Sequence, residues 1–147
     1  MIYEFAEDLQ KEAEEISKTF FPYIKIESVK CFRSYGTSSR RTIARCHTIG
    51  KLIQKALNIK AIYVLEFLSE RFDKLSKEEK TKTIIHELMH IPKSFGGGFK
   101  HHDFVCDRNI NKCYRDYMRI KEQTESLKNR QAVLETEHAN KNQQEIF

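Results

Sequence analysis

The chain has 147 residues, 39% of them hydrophobic and 32% charged, which supplies enough apolar sequence to bury the core of one domain and excludes wholesale disorder. No stretch is apolar enough to span a membrane, and the acidic N-terminus does not resemble a signal peptide, so we expect a cytoplasmic protein with no membrane partner. The net charge of +5 is uneven, about −4 over residues 1–21 and about +8 over residues 22–60, so a phosphate- or carboxylate-bearing partner would meet the basic part.

The first third of the chain mixes helical and strand patterns. Apolar residues at helical spacing predict an amphipathic helix over residues 3–20, ended by Pro22. Two β-leaning segments follow, at residues 23–32 and 41–49, with a turn-rich basic stretch between them. They predict two strands joined by a basic loop.

The middle of the chain continues this mixture. Residues 50–58 have the spacing of a short helix, and residues 59–68 are the strongest strand candidate, apolar on both faces except at Glu66. Ser76 and Glu79 form a capping box that predicts the start of a helix running to Pro92. Helices and strands in this order indicate an α+β domain.

The C-terminal part is predicted to be a long helix. Residues 104 to about 135 carry an apolar stripe at helical spacing, and the polar residues 138–147 are expected to fray. We therefore expect one domain over residues 1–120 and a helical extension over residues 121–147. The sequence does not indicate an oligomeric state.

Two histidines on the central helix form the pattern HELMH. His86 and His90 are one helical turn apart, so both imidazoles project from one face and can bind a single metal ion. Glu87 is suited to act as general base on a water bound to that ion. Apolar residues surround the pair, and a metal would satisfy polar groups whose unpaired burial costs several kcal/mol. This pattern predicts one Zn²⁺ ion and a hydrolytic reaction.

Catalytic zinc usually has a third protein ligand. The segment SFGGG after Pro92 allows a sharp turn that would bring His101 and His102 back toward the helix. The spacing leaves both histidines open as the third ligand. Asp103 is a candidate to orient a ligand from outside the coordination sphere.

The chain resembles a group of metallopeptidases found in archaea and phages that is similar to the SprT-like zincins. The resemblance covers roughly residues 24–105 and rests on RSYGTSSRRTIARC, AIYVLEF and IIHELMHIPKSFGGGFKHH. It implies a minimal zincin-like fold, in which a small β-sheet packs on the HExxH helix and an edge strand lines the substrate cleft. AIYVLEF is the candidate for that edge strand or for the strand beside it. It also implies His102, rather than His101, as third ligand. The chain lacks any CxxC motif, so the substrate of SprT-like proteins is not transferred to it.

A basic loop and the cysteines raise two further questions. Guanidinium groups around a Gly/Ser turn are typical phosphate contacts, which makes nucleic acid a candidate partner. The alternatives are a solvated turn, or pairing with the acidic N-terminal helix. The cysteines lie far apart and are expected to be free thiols. The candidate phosphate contacts are Arg33, Arg40, Arg41 and Arg45, and the cysteines are Cys31, Cys46, Cys106 and Cys113.

Three functions are compatible with these residues. The first is a zinc metallopeptidase that cleaves a peptide or protein substrate through metal-activated water, with Glu87 as general base. The second is a non-catalytic module that binds nucleic acid or protein, whose structural zinc would have a fourth ligand such as His101. The third is hydrolysis of another amide or ester by the same residues.

Overall fold

The computed structural model describes residues 1–145 and confirms the α+β fold. A four-stranded sheet and several helices form the N-terminal part, and one long helix ends the described chain. A single 3-10 turn at Ile26–Ser28 precedes the second strand. The elements, in chain order, are β1 (Ile2–Phe5), α1 (Glu7–Phe20), β2 (Val29–Tyr35), β3 (Ala44–Thr48), α2 (Lys51–Leu57), β4 (Tyr63–Leu68), α3 (Ser69–Phe72), α4 (Lys77–Met89) and α5 (Asp107–Glu145).

The sheet has the strand order β1-β2-β4-β3. Strand β4 runs parallel to β2 and antiparallel to β3, while β1 is antiparallel to β2. The central position of β4 explains its apolar sequence, because Tyr63, Leu65 and Phe67 are all fully buried. Within the described residues, β3 pairs with β4 alone and is therefore an edge of the sheet. AIYVLEF was predicted to be the edge strand or the strand beside it. Most of it forms β4, which lies beside the edge strand β3.

Helices α1 and α4 pack against each other and against the sheet. The side-chain amide of Gln10 in α1 donates to the carbonyl of Val29 and accepts from the N–H of Cys31, both at 2.8 Å, which attaches α1 to β2. Ile84 and Leu88 of α4 are fully buried, and burial of each stabilises the fold by roughly 1.5–3 kcal/mol. The apolar side of α4, the helix that carries HELMH, is thereby packed into the core.

The predicted helix over residues 3–20 is wrong at its start. Residues Ile2–Phe5 form β1, and the helix begins only at Glu7. Phe5 lies opposite Phe32 in the register, and the two rings meet edge to face at 5.8 Å between centroids. The alternation of Tyr3 and Phe5 fits a strand as well as a helix, and pairing with β2 makes this segment a strand.

Other boundaries differ from the prediction as well. Strand β2 starts at Val29 rather than at residue 23, since the 3-10 turn precedes it, and α3 was not predicted. Helix α5 continues past residue 135 to Glu145, and the described residues of 138–147, which were expected to fray, are helical. Residues 146 and 147 lie outside the described part.

The chain divides into two compact units. The first comprises Met1–Tyr114 and the second begins at Arg115. The division predicted after residue 120 stays a prediction. Among the described residues, no helix has the length and apolar character needed to cross a bilayer.

Candidate metal centre

Helix α4 carries two of the candidate ligands, and local signals define it at both ends. The Ser76 hydroxyl accepts a hydrogen bond from the N–H of Glu79 at 3.2 Å and caps the N-terminus. At the other end the helix stops at Met89, shortly before Pro92, as the sequence predicts. Because the apolar face of α4 is buried in the core, the face with His86 and His90 points away from it.

Three histidines meet at this face. The ring centroids of His86 and His90 are 5.0 Å apart. The ring centroid of His102 lies 5.9 Å from that of His86 and 5.1 Å from that of His90. One nitrogen from each ring can be chosen so that all three lie within 4.8 Å of one another. Zinc–nitrogen bonds are about 2.0–2.1 Å long, so the three rings are close enough to bind one ion. His101 is not in this cluster, although it lines the same cleft.

Lys100 holds the loop that places His102. Its N–H donates to the His90 carbonyl at 2.8 Å, and its carbonyl accepts from Nδ1 of the His90 ring at the same distance. A carbonyl can only accept, so the proton lies on Nδ1 and the lone pair on Nε2 is available to a metal. This contact orients one ligand and closes the loop next to it.

The glycine-rich segment makes the return possible. Phe95 and Gly97 have positive φ angles of 48° and 100°. The Tyr63 hydroxyl accepts from the N–H of Gly97 at 3.0 Å and donates to the carbonyl of Gly98 at 2.8 Å. Gln54 donates to the carbonyl of Gly96 at 3.0 Å. Side chains from β4 and α2 therefore fix the loop.

Replacing Gly97 by alanine is expected to lower the free energy of unfolding by at least about 2 kcal/mol and to weaken zinc binding. A Cβ at Gly97 would collide with the Gln54 amide and the Ile49 carbonyl, at a φ that strains any L-residue. Gly98→Ala is the matched control, since a Cβ there meets nothing within 4 Å. Thermal unfolding and zinc titration measure both effects. Equal behaviour of the two variants would show that the loop does not need this geometry.

The surroundings of the site lower the pKa of two histidines and raise the pKa of the Glu87 carboxyl group. Burial lowers the pKa of His86 and His90, and the neighbouring histidines lower both further. Metals bind the neutral imidazole. Glu87 is 5% exposed, and burial raises its pKa to about 7.

A cleft separates α4 from the edge strand β3. The half beside the three histidines has a volume of about 390 Å³, and the half beyond His86 has about 500 Å³. Both halves share Ala44, His86 and Glu87, so the carboxyl group lies where they meet. The first half is completed by Arg45, Cys46, His90, Phe99, Lys100, His101 and His102.

One of the four candidate arginines is already paired with carboxylates of its own chain. Arg33 forms ion pairs with Asp8 at 2.7 Å and Asp73 at 3.1 Å, as in the alternative in which an arginine pairs with the N-terminal helix. Arg41 lines the far half of the cleft, and Arg40 and Arg45 are exposed. The phosphate-contact prediction therefore rests on these three, without Arg33.

Some of the surrounding residues were not predicted. Cys46 lines the cleft together with its β3 neighbours Ala44 and Arg45. Glu66 is buried, its carboxylate accepts a hydrogen bond from Nε2 of His47 at 2.7 Å, and it does not line the half of the cleft beside the three histidines. Asp103, which was predicted to orient a ligand, accepts a hydrogen bond from the N–H of Phe104 at 2.9 Å, and its predicted role stays a prediction. All four cysteines are free, as expected.

The family comparison agrees with this arrangement. A family model described as "Putative phage metallopeptidase" matches residues 1–129. The chain belongs to this family. The match covers β1 through the first part of α5, a longer span than the resemblance read from the sequence, and includes all three clustered histidines. No curated protein and no solved structure matches the chain. Membership in a metallopeptidase family implies a bound metal ion, and the three-histidine cluster is a suitable place for it.

Proposed function

We propose that the protein is a zinc-dependent peptidase in which His86, His90 and His102 bind one zinc ion and Glu87 is the general base. The observation that supports this most directly is the cluster of three imidazoles beside a buried carboxyl group, at the junction of the two halves of one cleft. Three protein ligands with one open position are typical of catalytic zinc.

The chemistry divides between the ion and the chain. Zinc at this place would lower the pKa of a bound water to about 7 and polarise the scissile carbonyl. Glu87 accepts the proton from the attacking water and donates it to the leaving amine. Its pKa of about 7 suits both steps, because a group with a pKa near the working pH both takes up and releases a proton readily.

Strand β3 supplies a binding surface for an extended peptide. It is an edge strand, paired on one side by β4 and bordering the cleft with Ala44, Arg45 and Cys46. A peptide that adds to such an edge gains main-chain hydrogen bonds without requiring a particular sequence. This placement would bring a scissile carbonyl between β3 and the histidines, which favours a peptide over another amide or an ester.

The non-catalytic alternative requires a fourth protein ligand. Among the residues that the structure describes, the cluster contains three, and His101 is outside it. That count favours the peptidase. Nucleic acid as a further partner, through Arg40, Arg41 and Arg45, and a cytoplasmic location both stay predictions.

Removal of zinc tests the proposal. Purified protein is expected to contain about one zinc per chain, to lose cleavage of a general protein substrate after chelation, and to regain it when one equivalent of zinc is returned. Elemental analysis and a fluorescent casein assay measure the two quantities. Zinc binding without any hydrolysis would support the structural alternative, and undiminished cleavage by zinc-free protein would refute the metal mechanism.

A further inference from the structure

The second unit contains a long helical segment of α5 with no buried side chain. Every side chain from Glu122 to Gln144 in α5 is exposed. Most helices in proteins depend on packing of an apolar face, because propensity alone contributes little. A partner that covers one face of this segment would supply the missing stabilisation.

The segment has an apolar stripe with a period of seven. Ile120, Leu127 and Leu134 are exposed by 38, 65 and 64%. In a coiled coil they occupy d positions, and Thr124 and Gln131 occupy the a positions between them. Val133, 56% exposed, is the one large apolar residue of this stretch outside the stripe. A seven-residue repeat is typical of helices that pair in a left-handed supercoil.

The charged residues beside the stripe favour a second copy in parallel. In that arrangement each g residue faces the e residue five positions later in the other chain. Arg130 then faces Glu135 of a second copy, which has the opposite charge. The other pair along the exposed stripe joins Gln123 to Lys128, so neither pair opposes like charges.

Antiparallel pairing is less favourable. In the registers that keep the three apolar residues inside, Lys128 faces either itself or Lys121 in the other chain. Like charges at these positions oppose association. The same sequence therefore distinguishes the two orientations.

We propose that residues 120–138 of α5 form a parallel two-stranded coiled coil with a second copy of this chain. The interface has three apolar layers separated by threonine and glutamine, so the association is weak and depends on concentration. It does not involve the metal centre, and it holds whether or not the chain is a peptidase.

Sedimentation velocity of the full chain at concentrations from about 10 to 500 µM tests this proposal. The mass is expected to rise from 17.5 kDa toward twice that value. Leu127→Lys is expected to raise the dissociation constant at least about tenfold, because a lysine in each copy replaces a buried leucine. Val133→Lys is the matched control and leaves it unchanged. A chain that stays monomeric throughout, or equal effects of the two variants, would overturn the proposal.

A charge exchange tests the orientation. Arg130→Glu places glutamate against Glu135 of the second copy, and the double variant Arg130→Glu with Glu135→Arg restores the opposite charges. Weakening by the single change and recovery by the double change are expected. A single change without effect would exclude the parallel pairing.

Discussion

Replacing Glu87 by glutamine is expected to lower peptide hydrolysis about 10²–10⁴-fold while the protein keeps its zinc. Glutamine has nearly the same shape but does not accept the proton of the attacking water. The carboxyl group is buried and its pKa is raised to about 7 by that burial, so the neutral amide removes a buried charge and should not destabilise the fold. The measurement is kcat/KM on a fluorogenic protein substrate, with the zinc content of each sample determined.

Glu79→Gln is the matched control for this experiment. Glu79 is exposed, lies on the same helix and lines the far half of the same cleft. Its replacement changes the charge near the substrate without touching the group that handles the proton, so activity should stay close to that of the parent. Parental activity in Glu87→Gln would show that another group is the base, and a comparable loss in both variants would point to cleft charge instead.

The fold could be predicted where local signals define an element. Helix α4 begins at a capping box and ends before a proline, both visible in the sequence, and its predicted extent is confirmed. Strand β1 could not be found this way. Its four residues are exposed, and only pairing with β2, about thirty residues later, makes them a strand.

The candidate site shows the same division. His86 and His90 are separated by four residues on a helix, so their common face follows from helical geometry alone. The choice between His101 and His102 depends on how the glycine loop returns, which is set by the Lys100–His90 hydrogen bonds and the Tyr63 hydroxyl. Those contacts join distant parts of the chain, and residue spacing does not reveal them.

The arginines illustrate a limit of composition. Arg33, Arg40, Arg41 and Arg45 form one cluster in the sequence, yet Arg33, unlike the other three, is not exposed. Arg33 is 19% exposed in its side chain and lies between two aspartates. A guanidinium with two carboxylate partners has little capacity left for phosphate. Charge density along a chain therefore overstates the charge available to a partner.

His102→Ala is expected to reduce zinc affinity by more than about 100-fold, since even residues that only orient a ligand are worth 10–100-fold. His102 is one of three rings in the cluster, and two imidazoles alone leave the ion with only two protein ligands. Hydrolysis should fall with zinc occupancy and recover only in part at saturating zinc. Competition with a chromogenic chelator measures the affinity, and activity is followed in the same samples.

His101→Ala decides between the catalytic and the structural forms of the site. His101 is next to His102 in the sequence. Both side chains are exposed and line the same cleft, but the ring of His101 is outside the cluster. If the fourth position is open to water, this variant keeps both zinc affinity and hydrolysis near those of the parent. If His101 closes the coordination sphere when zinc binds, its loss weakens binding about as much as the loss of His102. That result would favour the non-catalytic module, because an ion with four protein ligands has no position left for the water that Glu87 must deprotonate.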